Sequence, residues 1–582
     1  MSKPKFSVVV IARNEEKTLP RLCKSLEQFF SRGGEMIVLD TGSSDKTVQV
    51  AESLGCRVVQ KSFTKEFTID EGSLLNSKFI APGEPFIVKE GDKIFDFSKA
   101  RNFATLHASN DHIFSPDCDE ILTALDLDEI DRQIEAGVDR FEYDFVFSHD
   151  NQGRPLIQFM HSKFYNRKVF KWVRVVHEVL EGSGQSKYLP ASVIKLEHWQ
   201  NPATNRGQYL TGLAWDCYTD RSSDRNSHYF GRELYFTNRP RSAIKELRRH
   251  VAMNAWHVER AQSLIFIGKC HEQLGEPDLA AKAYNEAFAL DSTRRESLLS
   301  LAELYNKLRI YEACAAFANA SLVLDYKGYY CDNMSHYRDV PHRHLYYAYC
   351  WMGKIDEARK HWKMAYDFEP ECPQILHDAR FVFNLPKVTI IIPTLGREEK
   401  LAKCLDLIKA NANYPDYEVL VKQDGYGDDN RGAIALLNEG VEEAKSELVM
   451  YLSNDCEPQP GFLIQAVLTY LEKAIGPALV ALNDGIWQGR LATHWLAAKS
   501  IRDWLPDHQI FSSAYHAHGC DNELTAHCLK VHGYHYAERA RVNHIDHHDD
   551  AISVMAWEHI NEDRKILAER LAHYGLKDPV AV

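Results

Sequence analysis

Continuous apolar runs and helical periodicities alternate along the first third of the chain. Phe6 to Ala12 is apolar at nearly every position, as in a strand covered on both faces. Leu19, Leu22, Leu26 and Phe29 recur at helical spacing within Asn14 to Phe30. Met36 to Leu39 predicts a second strand, which ends on Asp40, and Thr47 to Leu54 predicts the next helix. Phe63 to Phe95 contains glycine and proline and little periodicity, the mark of a long functional or partly disordered connection. Phe97 to Ser109 returns to helix. His112 to Ser115 is a strand that runs into Asp117-Cys118-Asp119-Glu120. This alternation predicts a doubly wound α/β sheet.

From about Asn226 to Ile375 the period changes to helix pairs. Ala280, Tyr284 and Ala287 recur 33 positions later as Ala313, Phe317 and Ala320, and again as Ala358, Trp362 and Ala365. Gly275 and Gly353 each stand five residues before the first alanine of a set, and Arg241-Ser242-Ala243 opens a weaker first copy. This spacing resembles the tetratricopeptide repeat, in which small residues let antiparallel helices approach and aromatic residues fill the gaps. Such a segment offers a surface for a protein partner or spaces its neighbours, and performs no chemistry itself. Beyond it the first pattern returns: KVTIIIPTLGREEKLAKCLDLI, then EVLVKQDGYGDDN, then LVMYLSNDCEPQPGF. The expected architecture is two Rossmann-like α/β domains, residues 1–205 and 386–582, flanking an all-α repeat domain over residues 206–385.

Composition narrows the class. The 582 residues are 45% hydrophobic with a net charge of −13, enough for several cores and against a surface coated in basic charge for nucleic acid. The 13 cysteines show no CxxC pairs, so buried free thiols in a reducing compartment are expected rather than zinc ribbons or a disulfide framework. MSKPKF leads directly into a strand without a signal-peptide pattern, and no apolar run approaches the length of a membrane span. A cytosolic protein is expected.

The acids at the strand ends carry the chemistry. An Asp-x-Asp at the end of a buried strand suits Mg²⁺ or Mn²⁺ carrying a diphosphate, although such pairs are common and weak evidence alone. In this chain the order FSVVVIARNEE, LDTGSSDKT, FSKARNFA and SPDCDE resembles the inverting, nucleotide-sugar-dependent family-2 glycosyltransferases of the GT-A fold, over about residues 5–200. The resemblance implies a nucleotide-sugar donor, a UDP-sugar first, and a divalent metal. It places Asp40 on the base, Arg101 and Asn102 near the nucleotide, Asp117 on the ribose and Asp119 on the metal. FYNRKVFKWVRVVHEVLEG resembles the family's segment ending in His-Glu. It assigns His177 to metal or diphosphate and Glu178 to the general base that takes the acceptor hydroxyl proton.

The C-terminal copy carries its own set. Asp424 ends its second strand, Asn454 stands where relatives have the ribose-binding acid, and Asp455 is the expected metal ligand. HGCDNELTAHCLKVHGY resembles the family's acid-rich helix start and places Asp521 at the base position, with Cys520 in place of an acid and His527 in place of arginine. RVNHIDHH then supplies His544 and His547 as candidates to complete the metal site.

The expected function is metal-dependent transfer of sugars to an acceptor hydroxyl at two sites, in glycan or polysaccharide assembly. A peptide or a hydroxymethylated phage DNA base remains open as acceptor. A different class also fits: a repeat scaffold whose modules bind sugar nucleotides without turning them over, which nucleotide release from candidate donors distinguishes.

Overall fold

The computed structural model describes residues 3–199, 208–253, 255–425, 430–544 and 559–580. It divides into two compact units, Met1–Met352 and Gly353–Val582. The strands of the first unit are β1 (Phe6–Ala12), β2 (Met36–Asp40), β3 (Arg57–Gln60), β4 (Thr64–Glu66), β5 (Lys93–Phe95) and β6 (His112–Phe114). They continue with β7 (Glu120–Leu125), β8 (Arg140–His149), β9 (Pro155–Asn166), β10 (Phe170–Val173), β11 (Val179–Gly182), β12 (Ser186–Leu189) and β13 (Ile194–His198).

The main sheet has the order β3-β2-β1-β6-β9-β8-β13-β7, with β12 added to β8. β1 is apolar at every position but Ser7 because both its faces are covered. Phe6, Val8, Val10 and Ala12 pack with Leu19, Leu22 and Phe114 on one side, and Val9 joins Ile37 and Leu39 on the other. The strand therefore ends abruptly where polarity begins, at Arg13, which fixes where the carboxyl-end loops start.

The stretch between Phe63 and Phe95 differs from its reading as a loop. β4 and β5 pair antiparallel and enclose the helix Ile69–Phe79, which starts on a capping box between Thr68 and Glu71. Phe67, Leu75, Phe79, Ile87 and Val88 are buried in one cluster with Phe230, Leu234 and Leu247 of the helical region. The insert thus borrows its core from a partner about 150 residues onward. Its apolar residues come from several short turns, so no single period registers.

The helices Asp224–Phe236, Pro240–Ala252, His257–Gln273, Pro277–Leu290, Glu296–Lys307, Tyr311–Ser321 and Asp339–Trp351 each pack on the next in sequence. Ala280, Tyr284 and Ala287 are fully buried, as their pattern requires. The next copy is shifted by one residue: Cys314, Ala318 and Ser321 are buried while Ala320 is exposed, giving a spacing of 34 instead of 33. In the second unit, Ala358, Trp362 and Ala365 of the helix Ile355–Phe368 are buried as expected. Small residues matter because neighbouring helices touch. A Cβ on Gly268 would lie 2.3 Å from the Tyr284 ring. Gly268→Val should therefore destabilise the first unit by about 1–3 kcal/mol through overpacking. Calorimetry would read this as a lowered unfolding transition, and an unchanged transition would refute the packing argument.

The second unit holds β14 (Val388–Thr394), β15 (Tyr417–Gln423), β16 (Leu448–Tyr451), β17 (Cys456–Pro458), β18 (Leu479–Asn483), β19 (Trp495–Ala498) and β20 (Tyr534–His544). Their order is β15-β14-β16-β19-β18-β20-β17. That order repeats β2-β1-β6-β9-β8-β13-β7 strand for strand. The parallel or antiparallel sense of every pair is also the same. All 13 cysteines are free thiols, ten of them buried.

Candidate active sites

The carboxyl ends of β1, β2 and β6 gather the first set of polar side chains, as open α/β sheets do. Asp40 closes β2, is buried, and accepts hydrogen bonds from Ser43 N (3.1 Å) and Gln60 Nε2 (3.3 Å). Beyond β6, Asp117 bonds Arg101 and accepts from Lys163 Nζ at 2.6 Å. Arg101 Nε also donates to Glu178 Oε1 at 2.7 Å, and Lys163 Nζ donates to Glu120 Oε1 at 2.5 Å. Two buried cations are thus shared among three carboxylates. Burial alone would raise the Asp117 pKa, but Arg101 and Lys163 hold it well below the usual carboxylate range.

Asp119 faces elsewhere. Its Oδ2 lies 3.1 Å from His198 Nε2, and His198 Nδ1 lies 3.0 Å from the Phe147 carbonyl. With Nδ1–H donating to that carbonyl, Nε2 is the nitrogen presented to the acid or to a metal. Burial opposes charge on His198, yet the bond to Asp119 and its negative charge outweigh burial and raise the pKa.

The segment carrying His177 and Glu178 joins β10 to β11. Arg174 and His177 both have positive φ, +82° and +51°, uncommon for residues with a side chain. Asp216 on the helix Gln208–Thr219 pins this turn. Its Oδ2 accepts from Val175 N (2.9 Å) and Val176 N (3.3 Å), and burial pushes its pKa up to about 6. Asp216→Ala should leave two backbone donors unpaired and cost about 1–3 kcal/mol, read as a lowered unfolding transition of the first unit. An unchanged transition would mean the turn holds itself.

In the second unit Asp424 directly follows β15, with Oδ1 accepting from Gly425 N (3.0 Å) and Arg431 N (2.9 Å) and Oδ2 from Gly432 N (2.9 Å). Asp455 Oδ2 accepts from Arg397 at 2.9 Å. Its Oδ1 is buried with no hydrogen-bond partner among the described residues and lies 3.8 Å from His544 Nε2. An orphaned carboxylate oxygen facing an imidazole is a donor pair that a divalent cation fits. His494 sits beside His544, ring centroids 5.0 Å apart, with Nε2 2.9 Å from Ser453 Oγ; burial and then the charge of His544 push its pKa down to about 3.

Asp521 lies in the first turn of the helix Cys520–Lys530. Burial pushes its pKa up to about 6, with the Asp578 and Asp484 carboxylates adding to the rise. The buried Tyr451 hydroxyl, raised first by burial, feels both Asp455 and Asp521.

The two sets share a register. His198 pairs with Glu120 across β13 and β7, and His544 pairs with Cys456 across β20 and β17. Asp119 and Asp455 are the residues just before those partners, so each unit sets one aspartate against the histidine that ends the equivalent strand.

Residues 7–66 match the model of glycosyl transferase family 2. Over 58 residues, 10% of this chain and 15% of the relative, the chain is 46% identical to the 4,4'-diaponeurosporenoate glycosyltransferase of Staphylococcus haemolyticus (strain JCSC1435). Over 186 residues, 31% of this chain and 52% of the relative, it is 27% identical to an uncharacterized glycosyltransferase of Rickettsia bellii (strain RML369-C). The chain therefore spans about half the length, or less, of these curated relatives. Among solved structures, the crystal structure of MamA is similar at 17% identity, covering 29% of this chain and 93% of that chain with a TM-score of 0.24. Over the residues matched, the N-terminal region is similar to family-2 glycosyltransferases.

Several expected residues sit elsewhere than the motifs suggested. His177 stacks on Tyr229 (4.3 Å) and Tyr209 (5.6 Å), and the imidazole on Asp119 belongs to His198. KLEHWQ gave a signal for His198: a strand of alternating apolar and polar residues ending on histidine, like ARVNH ending on His544. Asn102 bonds the Trp172 backbone with its amide, Nδ2 donating to the carbonyl (2.8 Å) and Oδ1 accepting from N–H (3.1 Å), so it fixes β10. Counting back from the paired histidines, Ser453, and not Asn454, holds the position of Asp117. Asn454 is buried and donates to Thr394 Oγ1 at 2.6 Å. His547 lies outside the described residues.

Proposed function

We propose that the protein is a metal-dependent inverting glycosyltransferase with one site in each unit, moving sugars from nucleotide-sugar donors to acceptor hydroxyls in glycan assembly. The observation that carries this reading is the repeated aspartate–histidine pair, Asp119 with His198 and Asp455 with His544, at the same register of two sheets with the same strand order. Bound there, a divalent cation would supply Lewis-acid stabilisation of the departing diphosphate.

The chain's own residues do the rest. Asp40, at the end of β2, and Asp424, just beyond β15, take the base side of the nucleotide. Arg101 and Lys163 hold Asp117 ionised for the ribose. Glu178 in the first site, oriented by Arg101, and Asp521 in the second accept the acceptor hydroxyl proton. The hydroxyl oxygen bonds to the anomeric carbon as the carbon–oxygen bond to the diphosphate breaks. The nucleoside diphosphate leaves and the configuration inverts.

Nucleotide release from a panel of nucleotide sugars, with Mn²⁺ and with EDTA, tests the reading. Release that depends on both metal and acceptor is expected. No release from any donor would leave the scaffold alternative. Among the described residues no helix is long and apolar enough to cross a membrane.

A further inference from the structure

The helix Asp224–Phe236 carries two arginines that have no ion-pair partner among the described residues. Arg225 and Arg232 are seven residues apart, two helical turns, with Tyr229 between them on the same face. Their guanidinium carbons lie 4.7 Å and 4.4 Å from the Tyr229 ring centroid. His177 stacks on that ring at 4.3 Å. The Nε atoms of both arginines are buried and have no hydrogen-bond partner among the described residues.

Neighbouring arginines behave otherwise. Arg221 pairs with Glu246 at 3.3 Å and Arg248 with Glu286 at 2.6 Å. The acids of this region have other partners: Asp224 accepts from the Arg225 backbone N–H (2.7 Å), Glu259 accepts from the Tyr330 hydroxyl (2.7 Å), and Glu178 holds Arg101. Arg225 also acts electrostatically on His161, as do Lys163 and Arg101, so this positive charge adjoins the Asp117 cluster. Stacking on the ring offsets part of the cost of half-burying two like charges, and a bound anion would offset more of it.

We propose that Arg225, Arg232 and His177 form an oxyanion subsite around Tyr229 that binds a phosphate group of a first-site substrate. Planar guanidinium donors suit phosphate oxygens in pairs. The naming of the substrate rests on the glycosyltransferase reading, and its phosphate belongs either to the donor's diphosphate or to the acceptor.

Titration calorimetry on the full chain, with inorganic phosphate and with uridine diphosphate as probes, tests this. The parent should bind inorganic phosphate, and Arg225→Gln/Arg232→Gln should bind it at least about tenfold more weakly. If the double variant also loses uridine diphosphate affinity, the phosphate is the donor's. If uridine diphosphate affinity is unchanged, it is the acceptor's. A parent that binds no inorganic phosphate, or a double variant that binds it equally well, overturns the subsite. Should the glutamine variant fail to fold, Arg225→Lys/Arg232→Lys keeps the charge without the planar fork, and phosphate affinity should still fall. Equal affinity in that folded variant would count against the subsite. Asp119→Ala should keep phosphate binding. Intact phosphate binding with no transfer from any donor would remove the glycosyltransferase reading and leave the subsite standing.

Discussion

Asp119→Ala should abolish metal-dependent transfer at the first site while lowering the stability of that unit by only about 1–2 kcal/mol. The side chain is 19% exposed, and its one hydrogen-bonded ring partner is His198 at 3.1 Å, so truncation leaves no large cavity and a histidine that water can reach. The catalytic loss is of another order. A Lewis acid that stabilises the leaving diphosphate by several kcal/mol corresponds to on the order of a thousandfold in rate. Asp117 makes a poorer test, because Arg101 and Lys163, 4% and 7% exposed, would each lose one of two carboxylates. A loss of activity there mixes electrostatic collapse with chemistry. Nucleotide release in the presence of Mn²⁺ separates the outcomes, and an Asp119→Ala protein that turns over normally would remove the metal from the mechanism. His198→Ala should lie between, at roughly 10–100-fold, if the imidazole orients and supports the acid.

Legibility in the sequence followed burial. β1 and β14 were readable because strands covered on both faces must be apolar at consecutive positions, and their ends are then marked by the first charged residue. The acids Asp40, Asp117, Asp119, Asp424 and Asp455 were readable for the same reason, each following such a run. What failed to register was long-range pairing. The apolar residues from Phe67 to Val88 make sense only against Phe230 and Leu247. His177 follows a charged, aromatic segment that looks catalytic, yet its ring is claimed by Tyr229 on a helix beyond the sheet. His198 and His544 occupy their places because β13 lies beside β7 and β20 beside β17, a register that no local pattern encodes. Asn102 illustrates the reverse: a polar residue beside a motif arginine, consumed by backbone that the fold brings to it.

Asp521→Asn should silence the second site and at the same time stabilise the second unit. A general base contributes roughly 10²–10⁴-fold, and asparagine can hydrogen-bond an acceptor hydroxyl but cannot take its proton. The pH dependence follows from the raised pKa. The base works only when ionised, so second-site transfer in the parent should rise with pH through about 6 and level off above it. Stability runs the opposite way. A carboxyl whose folded pKa lies above its unfolded value near 3.8 contributes stability that is fully present below that lower value. The contribution is lost as pH rises through about 6. At neutral pH the folded unit therefore carries a disfavoured charge, which asparagine removes. The gain is at most about 2–3 kcal/mol, and less because the carboxylate keeps some contact with solvent. Removing a purely structural acid would lower stability, and a solvated surface acid would change neither property. A variant that loses transfer while its unfolding transition moves up is the pattern of a group held at a cost for chemistry. If instead Asp521→Asn transfers every sugar as well as the parent, the second unit is a binding module and catalysis belongs to the first alone.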